Sequence, residues 1–396
     1  MNRDSSTAEL LPPSIGKVDL LIIAGEHSGD ELAAHMAQNL LKKNPHLKVA
    51  ALGGNKLRES GAELVFNMVD HSVMGLVDVI KNYSFLKGLF DNTLNWIKKY
   101  QPKQICFVDY PGFNLRLAKA LKEMGLSQKG GGTIGLHYYV SPQIWAWKSH
   151  RRFKMAKILD SLGVLFPFEK DCYLDTDLSV TYLGHPFAEK DYPLPVEYDP
   201  NGVILLLPGS RTKSIEVIAP TILEAFRKIS AEDDSLSAVI LYPSQAVEAC
   251  LKSILETYPD LSDRVSLLRN DSEKLKVKGA IMSSGTISLS MAIASIPGVI
   301  IYKLSKLNYL MLRILIKVRF IGLANLILEQ SVYPELLQKE ARVENIVNYF
   351  TPYLNEQESI DNFMEASNVL KYKLIDERDK SASEWIAEQI LNKKIK

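Results

Sequence analysis

A chain of 396 residues is long enough for two or three domains, each with its own hydrophobic core. Its 47 basic and 46 acidic side chains leave a net charge of +1, which excludes the strongly basic profile of a general nucleic-acid binder. The three cysteines, Cys106, Cys172 and Cys250, lie far apart in sequence, so we expect free thiols in a reducing cytoplasm and no thiolate metal site.

Neither the start of the chain nor its most apolar region resembles a membrane segment. Residues 1–17 are polar, contain two adjacent prolines and lack the apolar run of a signal peptide, so we expect a disordered arm. Residues 304–328 are apolar but are interrupted by lysine and arginine, whereas a spanning helix needs about 20 nearly uncharged residues. The sequence therefore predicts a chain that does not cross the membrane.

The first predicted elements alternate between strand and helix. Residues 18–24, 49–52 and 104–108 are short apolar runs typical of buried strands, and each is followed by a glycine-containing loop. The loop after residue 24 lacks the GxGxxG spacing, which argues against a dinucleotide-binding dehydrogenase. Ligands of open α/β sheets bind at the carboxyl ends of the strands, so Glu26, Gly53 and Asp109 should line one crevice.

Asp109 is the carboxylate that we single out. It follows an apolar strand directly, and partial burial there would raise its proton affinity towards that of a general base. The alternative is an ordinary turn-capping aspartate before Pro111-Gly112, because aspartate is common in turns.

Three further features of the first half have two interpretations each. Residues 69–97 are apolar on more than one face, which suits either buried helices or a lipid-facing or acyl-binding surface. The aromatic residues Tyr138, Tyr139, Trp145 and Trp147 would stack on a sugar or belong to the core. The basic residues that follow them would meet a phosphate or cover a solvated helix. These residues are Lys148, Arg151, Arg152, Lys154 and Lys157.

The prolines at positions 186, 193, 195 and 200 indicate a stiff linker over residues 187–202. Residues 161–168 and a short run ending near residue 182 are the last predicted strands before it. A first domain then covers residues 18–186, and a second α/β series covers residues 203–375. The fold class is therefore α/β, with two Rossmann-like domains.

The second domain opens with a predicted strand, residues 203–207, that ends at Pro208 and Gly209. Ser210 can cap the helical pattern that follows, so backbone N–H groups would point out of the loop. With the bidentate donor Arg211 beside them, they would suit a diphosphate. The alternative is an ordinary βα turn.

A second helix start of this kind comes later in the same domain. The predicted strand over residues 279–282 leads into Ser284-Gly285-Thr286 and an apolar helix. Two such starts in one domain favour a nucleotide diphosphate ligand. After another strand at 299–302, residues 303–328 mix basic and apolar side chains, which suits a membrane surface or a core helix with snorkelling lysines.

Taken together, residues from about 20 to about 337 resemble the lipid-A-disaccharide synthases, which are inverting glycosyltransferases of the GT-B fold. The motifs that carry the resemblance are Gly25-Glu26-His27-Ser28-Gly29-Asp30, Ser72-Val73-Met74-Gly75, Asp109-Tyr110-Pro111-Gly112-Phe113-Asn114, Val140-Ser141-Pro142-Gln143-Ile144-Trp145-Ala146-Trp147, Phe166-Pro167-Phe168-Glu169, Gly184-His185-Pro186, Leu207-Pro208-Gly209-Ser210-Arg211 and Ser284-Gly285-Thr286. The resemblance implies a cleft between an N-terminal acceptor domain and a C-terminal donor domain. It also suggests a helix within residues 376–396 that packs back on the first domain.

The resemblance implies transfer of 2,3-diacylglucosamine from its UDP donor to 2,3-diacylglucosamine 1-phosphate (lipid X). The products would be a β-1,6-linked disaccharide 1-phosphate and UDP, made without a metal or other cofactor at the cytoplasmic face of the inner membrane. Nucleic acid is not an expected partner, and a homodimer is one oligomeric state to test. The acyl chains would give residues 69–97 and 303–328 a reason to be apolar.

The site residues fall into three groups under this interpretation. The catalytic base is Asp109, with Glu26 and His137 as rivals. The donor side comprises Gly209, Ser210, Arg211, Ser284, Gly285, Thr286, Ser290 and Asn325. The acceptor side comprises Gly25, Ser28, Met74, Trp145, Trp147 and Arg151.

The chain departs from the family pattern at three places. Ser214 and Ser290 stand where the family has glutamate, and the segment from His137 to Pro142 is one residue longer than usual. Serine is shorter and uncharged, so donor affinity or identity is affected. Two alternatives follow: a relative that uses another UDP-sugar, and a catalytically idle lipid-binding relative.

Overall fold

A computed structural model describes residues 9–71, 83–190, 192–210, 212–270, 274–303 and 319–391. The chain divides into two compact units. Unit 1 comprises Met1–Pro186 together with Glu377–Lys396, and unit 2 comprises Phe187–Asp376. No helix in these described ranges combines the length and the apolar character needed to cross a bilayer.

Unit 1 is a parallel sheet with helices between its strands. Its strands are β1 (Leu20–Ala24), β2 (Val49–Gly53), β3 (Glu63–Asn67), β4 (Gln104–Val108), β5 (Gly135–Tyr139), β6 (Ser161–Val164) and β7 (Ser179–Tyr182). Its helices are α1 (His27–Lys43), α2 (Asn55–Glu59), α3 (Tyr83–Tyr100), α4 (Pro111–Glu123), α5 (Arg151–Ile158), α6 (Pro167–Asp171) and, from the end of the chain, α14 (Ala382–Leu391).

The strand order of unit 1 is β3-β2-β1-β4-β5-β6-β7, with every pair parallel. Strands β1, β2, β4 and β5 are buried along their whole length, as expected for a sheet covered on both faces. Helix α1 buries Ala33, Met36, Ala37 and Leu40, a helical spacing that places one apolar face on the sheet.

Unit 2 has the same plan. Its strands are β8 (Val196–Leu207), β9 (Ala238–Tyr242), β10 (Val265–Arg269), β11 (Leu275–Ser283), β12 (Gly298–Tyr302) and β13 (Glu335–Leu337). Its helices are α7 (Thr212–Ser230), α8 (Gln245–Leu255), α9 (Thr286–Ile293), α10 (Leu323–Leu328), α11 (Val343–Phe350), α12 (Pro352–Asn355) and α13 (Gln357–Ile375). The strand order is β10-β9-β8-β11-β12-β13, again parallel. Two successive Rossmann-like units are the GT-B architecture that the sequence predicts.

Three predicted boundaries need correction. Strand β8 begins at Val196 rather than at 203, because Val196 pairs with Leu275, so part of the expected linker belongs to the sheet. Strand β6 ends at Val164, because Pro167 begins α6. The expected disordered arm is ordered over residues 9–17, where Leu11 N donates to Val65 O at 3.0 Å and Ser14 N to the Glu63 carboxylate at 2.6 Å.

Helix α14 belongs to unit 1 although it follows unit 2 in sequence. It contacts α1 and β4, and its Trp385 is 1% exposed. The Trp385 ring lies 6.1 Å from His137 and 6.4 Å from Tyr139, both in β5. The last described helix therefore completes the core of the first unit.

The two segments with an ambiguous apolar pattern are only partly within the described residues. Residues 72–82 and 304–318 lie outside them. Helix α3 is amphipathic: it buries Leu89, Trp96 and Ile97 in the core, and Phe85, Phe90 and Leu94 pack against that core. For the described part of residues 69–97 the structure thus supports core packing.

Candidate functional site

The strand order fixes where each sheet opens for a ligand. In unit 1 the order reverses between β1 and β4, and in unit 2 it reverses between β8 and β11. Ligands of open α/β sheets bind outside the carboxyl ends of the strands at this switch point. The loops there begin at Gly25 and Asp109 in unit 1, and at Pro208 and Ser284 in unit 2.

The Gly25 loop packs directly against the Asp109 loop. A Cβ atom on Gly25 would overlap the Tyr110 ring, and one on Gly29 would lie 3.6 Å from Asp109 Cβ. Only glycine at position 25 permits this approach. Glu26 precedes the first turn of α1, and Ser28 is exposed within that turn.

Asp30 has a structural function in the same loop region. It is 3% exposed and accepts the N–H groups of Gly54 at 2.6 Å and Lys56 at 3.1 Å. Burial raises its pKa, although these N–H groups partly offset the effect. The carboxylate therefore ties the first βα loop to the second.

Asp109 and Tyr110 both have a backbone φ of 47°, in the left-handed region. Such a conformation costs about 1–2 kcal/mol per non-glycine residue and is often found at functional sites. Tyr138 Oη donates to Asp109 O at 2.6 Å, and Asp109 N donates to Tyr139 O at 3.0 Å. These bonds hold the strained turn in place.

Asn114 stabilises the turn rather than the carboxylate. Its amide nitrogen donates to Asp109 O at 2.8 Å and lies 3.3 Å from Ile23 O and Val108 O. The expectation that Asn114 orients the Asp109 side chain is therefore replaced by a role in fixing its main chain.

Several charged groups of this site shift the pKa of Tyr138. Burial raises the pKa of Asp109, and the N–H of Tyr110 partly offsets this. Burial is the main cause that raises the pKa of Tyr138, and the negative charge of Asp109 is the next. Glu26 raises this pKa and Arg151 lowers it by smaller amounts. Burial and Glu26 also raise the pKa of Tyr110. Glu26, Asp109 and Arg151 thus all lie close enough to Tyr138 to act on it electrostatically.

His137 is not part of this group. It is 3% exposed, and its Nε2 lies 2.8 Å from Gln104 Oε1 and its Nδ1 2.8 Å from Ser161 Oγ. Burial lowers its pKa to about 3. With both ring nitrogens engaged in the core, His137 is a structural residue, which corrects its assignment as a rival base.

The two tryptophans of the predicted acceptor side differ. Trp145 is half-buried, meets Phe168 edge-on at 5.6 Å and lines a cavity of about 310 Å³ with Arg152 and Leu174. Trp147 is 44% exposed, with Lys148 Nζ 4.1 Å and the Arg151 guanidinium carbon 5.3 Å from its ring centre.

Two other motifs of the first unit are internal supports. Glu169 is 1% exposed and accepts the N–H groups of Leu165 at 3.0 Å and Phe166 at 3.1 Å. Burial raises its pKa to about 7, although the N–H groups of Phe166 and Leu165 and the indole of Trp145 lower it in part. His185 is 2% exposed and stacks on Phe166 at 5.9 Å, and burial lowers its pKa to about 3.

In unit 2, the two predicted donor loops meet. A Cβ atom on Gly209, where φ is 124°, would lie 3.5 Å from Ser283 Oγ and 3.7 Å from Ser214 Cβ. Gly285 has a φ of 154°, and among the residues that the structure describes no other group lies within 4 Å of where its Cβ would be. Glycine at 285 thus leaves the first turn of α9, which begins at Thr286, open to a ligand.

Two residues that were predicted to bind the donor make hydrogen bonds within the protein instead. Ser290 is 4% exposed and its Oγ donates to Ile287 O at 2.9 Å. Asn325 is fully buried: its Nδ2 donates to Tyr333 O and Glu335 Oε1, both at 2.8 Å. Its Oδ1 accepts from Val332 N at 2.9 Å and Tyr333 N at 2.8 Å. Every hydrogen-bonding position of Asn325 is filled, so it anchors a loop and does not face a ligand.

Arg211 and Met74 lie outside the described residues. Tyr110 was not predicted as a site residue, and Tyr138 was predicted only as part of a sugar-stacking wall or of the core, where its full burial places it. The available signal was that both stand in motifs at the ends of adjacent strands, β4 and β5. Within the described ranges, histidine, cysteine, aspartate and glutamate side chains do not group in threes at a spacing that would hold a metal ion. Cys106, Cys172 and Cys250 are free thiols.

Sequence comparison places the chain among known proteins. A family model described as lipid-A-disaccharide synthetase matches residues 20–390. A lipid-A-disaccharide synthase of Coxiella burnetii (strain Dugway 5J108-111) is 35% identical over 347 residues, covering 85% of this chain and 89% of the relative. One from Nitrosococcus oceani is 32% identical over 362 residues, covering 89% and 91%.

Solved structures with little sequence identity share the fold. UDP-GlcNAc 2-epimerase from Neisseria meningitidis, bound to UDP-GlcNAc, has a TM-score of 0.61 at 11% identity, covering 94% of this chain and all of that one. The spinosyn rhamnosyltransferase SpnG, complexed with thymidine diphosphate, has a TM-score of 0.53 at 11% identity, covering 93% and 99%. With the motifs at both switch points and the extent of the family match, the chain belongs to the lipid-A-disaccharide synthase family.

Proposed function

We propose that this glycosyltransferase joins 2,3-diacylglucosamine, carried by UDP, to 2,3-diacylglucosamine 1-phosphate, forming a β-1,6-linked disaccharide 1-phosphate and releasing UDP. The observation that carries the proposal is Asp109, a carboxylate with a raised pKa at the switch point of unit 1 in a chain of this family. The relatives' names identify the reaction class, and the acyl sugars are the family's expected substrates.

Asp109 acts as the general base in this proposal. It removes the proton from the 6-hydroxyl of the acceptor while that oxygen attacks the anomeric carbon and the bond to UDP breaks. Because attack comes from the face opposite the leaving group, the configuration inverts. Tyr138 and Asn114 hold the main chain of Asp109, and Arg151 supplies positive charge nearby.

The donor diphosphate is bound by unit 2. Gly209, Ser210 and the open helix start at Ser284–Thr286 offer backbone N–H groups, and Arg211 adds a bidentate cation. These groups stabilise the charge that develops on the departing UDP, and we propose that they do so without a metal ion. Loss of activity with EDTA that Mg²⁺ restores would contradict this part.

Ser290 bears on the identity of the donor. In many GT-B enzymes a carboxylate at this position accepts hydrogen bonds from the ribose, and here the serine hydroxyl is bound to its own helix. We therefore expect weaker ribose binding with the same diphosphate site. A preference for a different UDP-sugar is the second candidate function, and a panel of UDP-sugars with one acceptor would reveal it.

We further propose that the enzyme works at the cytoplasmic face of the inner membrane, where both acylated substrates reside. A homodimer is the oligomeric state that light scattering should test.

The decisive experiment is UDP release by purified protein with both lipid substrates in detergent. Asp109→Asn should lose about 10²–10⁴-fold in kcat with donor binding retained. Asp70→Asn, at an exposed position, is the control. Near-full turnover by Asp109→Asn together with loss of turnover in Glu26→Gln would assign the role of general base to Glu26.

A further inference from the structure

One surface of unit 1 combines exposed apolar side chains with basic ones. Trp147 and Phe153 are each 44% exposed, and Leu174 is 78% exposed. We call this surface the Trp147 patch. It consists of Trp147, Lys148, Arg151, Arg152, Phe153, Lys154, Lys157 and Leu174.

The members of the patch are contiguous. Arg152 lies with its guanidinium carbon 4.3 Å from the Phe153 ring centre, and it lines the same cavity as Leu174. Lys148 and Arg151 lie over the Trp147 ring. Aromatic rings with cations beside them therefore form one surface rather than scattered exposed residues.

Helix α5 shows that the exposure follows from its packing. It buries Met155, Ala156 and Ile158 in the core. The exposed positions Phe153, Lys154 and Lys157 share the opposite face at helical spacing. A phenylalanine on the solvent face of a helix adds little to the core, and together with exposed Trp147 and Leu174 it forms an apolar surface of the kind that marks an interaction site.

The charge of the patch decides what that partner is. Residues 147–157 contain five basic side chains and no acidic one. Arg152 is neutralised by Asp175 at 2.7 Å, and Asp171 lines the adjoining cavity. In the described part of the chain, Lys148, Arg151, Lys154 and Lys157 have no carboxylate within ion-pair distance, so the patch is net positive. Tryptophan beside lysine and arginine is the composition of a bilayer interface, where rings enter the headgroup region and cations meet lipid phosphates.

We propose that the Trp147 patch is a docking surface for an anionic phospholipid bilayer. The proposal rests on the proposed function for its purpose, because the segment that carries Trp147 follows the carboxyl end of β5, next to the Asp109 loop. Docking through the patch turns that edge of the sheet towards the lipid surface that holds the acceptor. The occupant is the bilayer itself, distinct from the phosphate of a bound substrate.

Vesicle flotation of the full chain tests the proposal. The wild type should bind phosphatidylcholine vesicles that contain phosphatidylglycerol, bind phosphatidylcholine alone weakly, and lose binding at high salt. The variant Phe153→Ser/Lys154→Glu/Lys157→Glu/Leu174→Ser should bind the anionic vesicles at least about tenfold less, since each lysine near such a surface contributes about fivefold and two are reversed. UDP release from detergent-dispersed substrates should be unchanged.

The matched control changes the same residue classes elsewhere. Lys42→Glu/Lys339→Glu/Val369→Ser/Tyr372→Ser alters exposed residues of other elements with the same change in net charge, and it should keep vesicle binding within about twofold of the wild type. Urea midpoints of both variants establish that they are folded. Brominated lipid should quench the fluorescence of the wild type, and Trp147→Phe should remove most of that quenching.

Three results would overturn the proposal. Unchanged vesicle binding by the patch variant means that the patch does not dock. Equal losses of vesicle binding and of turnover in detergent mean that these residues belong to the substrate site. Binding to any polyanion, such as heparin, with none to anionic vesicles points to a macromolecular partner instead. A wild type that binds vesicles but releases no UDP contradicts the proposed function and leaves the patch standing.

Discussion

Tyr138 Oη donates a 2.6 Å hydrogen bond to the main-chain carbonyl of Asp109, across two adjacent strands of unit 1. The bond reaches the backbone of the proposed base, whose φ of 47° lies in the left-handed region. Tyr138 is fully buried, so this donor is rigid. Together with the amide of Asn114, which donates to the same carbonyl, it stabilises the left-handed conformation of Asp109.

The first prediction concerns that bond. Tyr138→Phe leaves the ring in place and removes the donor, which should cost about 0.5–1.5 kcal/mol of unfolding free energy. Because Asp109 is then less well placed, kcat should fall by about tenfold with KM nearly unchanged. Steady-state kinetics and urea unfolding check both effects.

Tyr173→Phe is the matched control for Tyr138→Phe. Tyr173 is also buried, and its hydroxyl lies 2.8 Å from Ser141 Oγ. It should lose similar stability and keep kcat. Equal losses of kcat in both variants would mean that general destabilisation, and not the position of Asp109, accounts for the effect.

The second prediction concerns pH. Burial raises the pKa of Asp109 above the ordinary 3.8, and a base must be deprotonated to act. As pH falls through the raised pKa, kcat/KM should decline with unit slope, and the midpoint should lie above 3.8. The Glu26→Gln enzyme should keep this limb, whereas disappearance of the limb in that variant would assign it to Glu26.

The third prediction concerns Gly25. Gly25→Ala places a methyl group into the Tyr110 ring, so the Asp109-Tyr110 turn must move. We expect a loss of about 1–3 kcal/mol in stability and a lower kcat. Gly88→Ala, in the middle of α3 with no described residue within 4 Å of the new methyl, should instead gain about 0.5–1 kcal/mol. Urea unfolding of the two variants gives the comparison.

The fourth prediction concerns stability in acid. His137 takes up a proton near pH 6.5 when unfolded but only near pH 3 when folded, so the unfolded state gains protons first as pH falls. His137 should therefore subtract about 1.4 kcal/mol of stability per pH unit between these values. His137→Gln should be less stable at neutral pH but show a slope reduced by that amount. An unchanged slope would contradict the buried, neutral state of His137. His185 contributes in the same direction, and Glu169, whose pKa is raised to about 7, in the opposite one.

The fold was largely predictable because continuous apolar runs and glycine loops alternate with helical periodicity. The same runs predicted β1, β2, β4 and β8, and the carboxyl ends of these strands and β11 carry the site loops. The start of β8 was missed because pairing of Val196 with Leu275 depends on a distant strand and has no local signal.

The site was less predictable, for a physical reason. The type and position of Asp109 indicated a base, but sequence does not show where a side chain points. His137 lies in the middle of β5 and contacts Gln104, and the side-chain amide of Asn325 donates its hydrogen bonds to Tyr333 and Glu335. Both residues therefore have structural functions. Nor does periodicity distinguish the exposed Trp147 from the half-buried Trp145.

The position of α14 has a consequence for synthesis of the chain. When residue 186 has left the ribosome, all strands of the first sheet exist, yet Trp385 and the rest of α14 are still about 200 residues away. Until then the faces of α1 and β5 that α14 covers stay open to water and to chaperones. Unit 2 can therefore reach its final fold while unit 1 still waits for its last helix, so the half of the molecule that carries Asp109 is finished last.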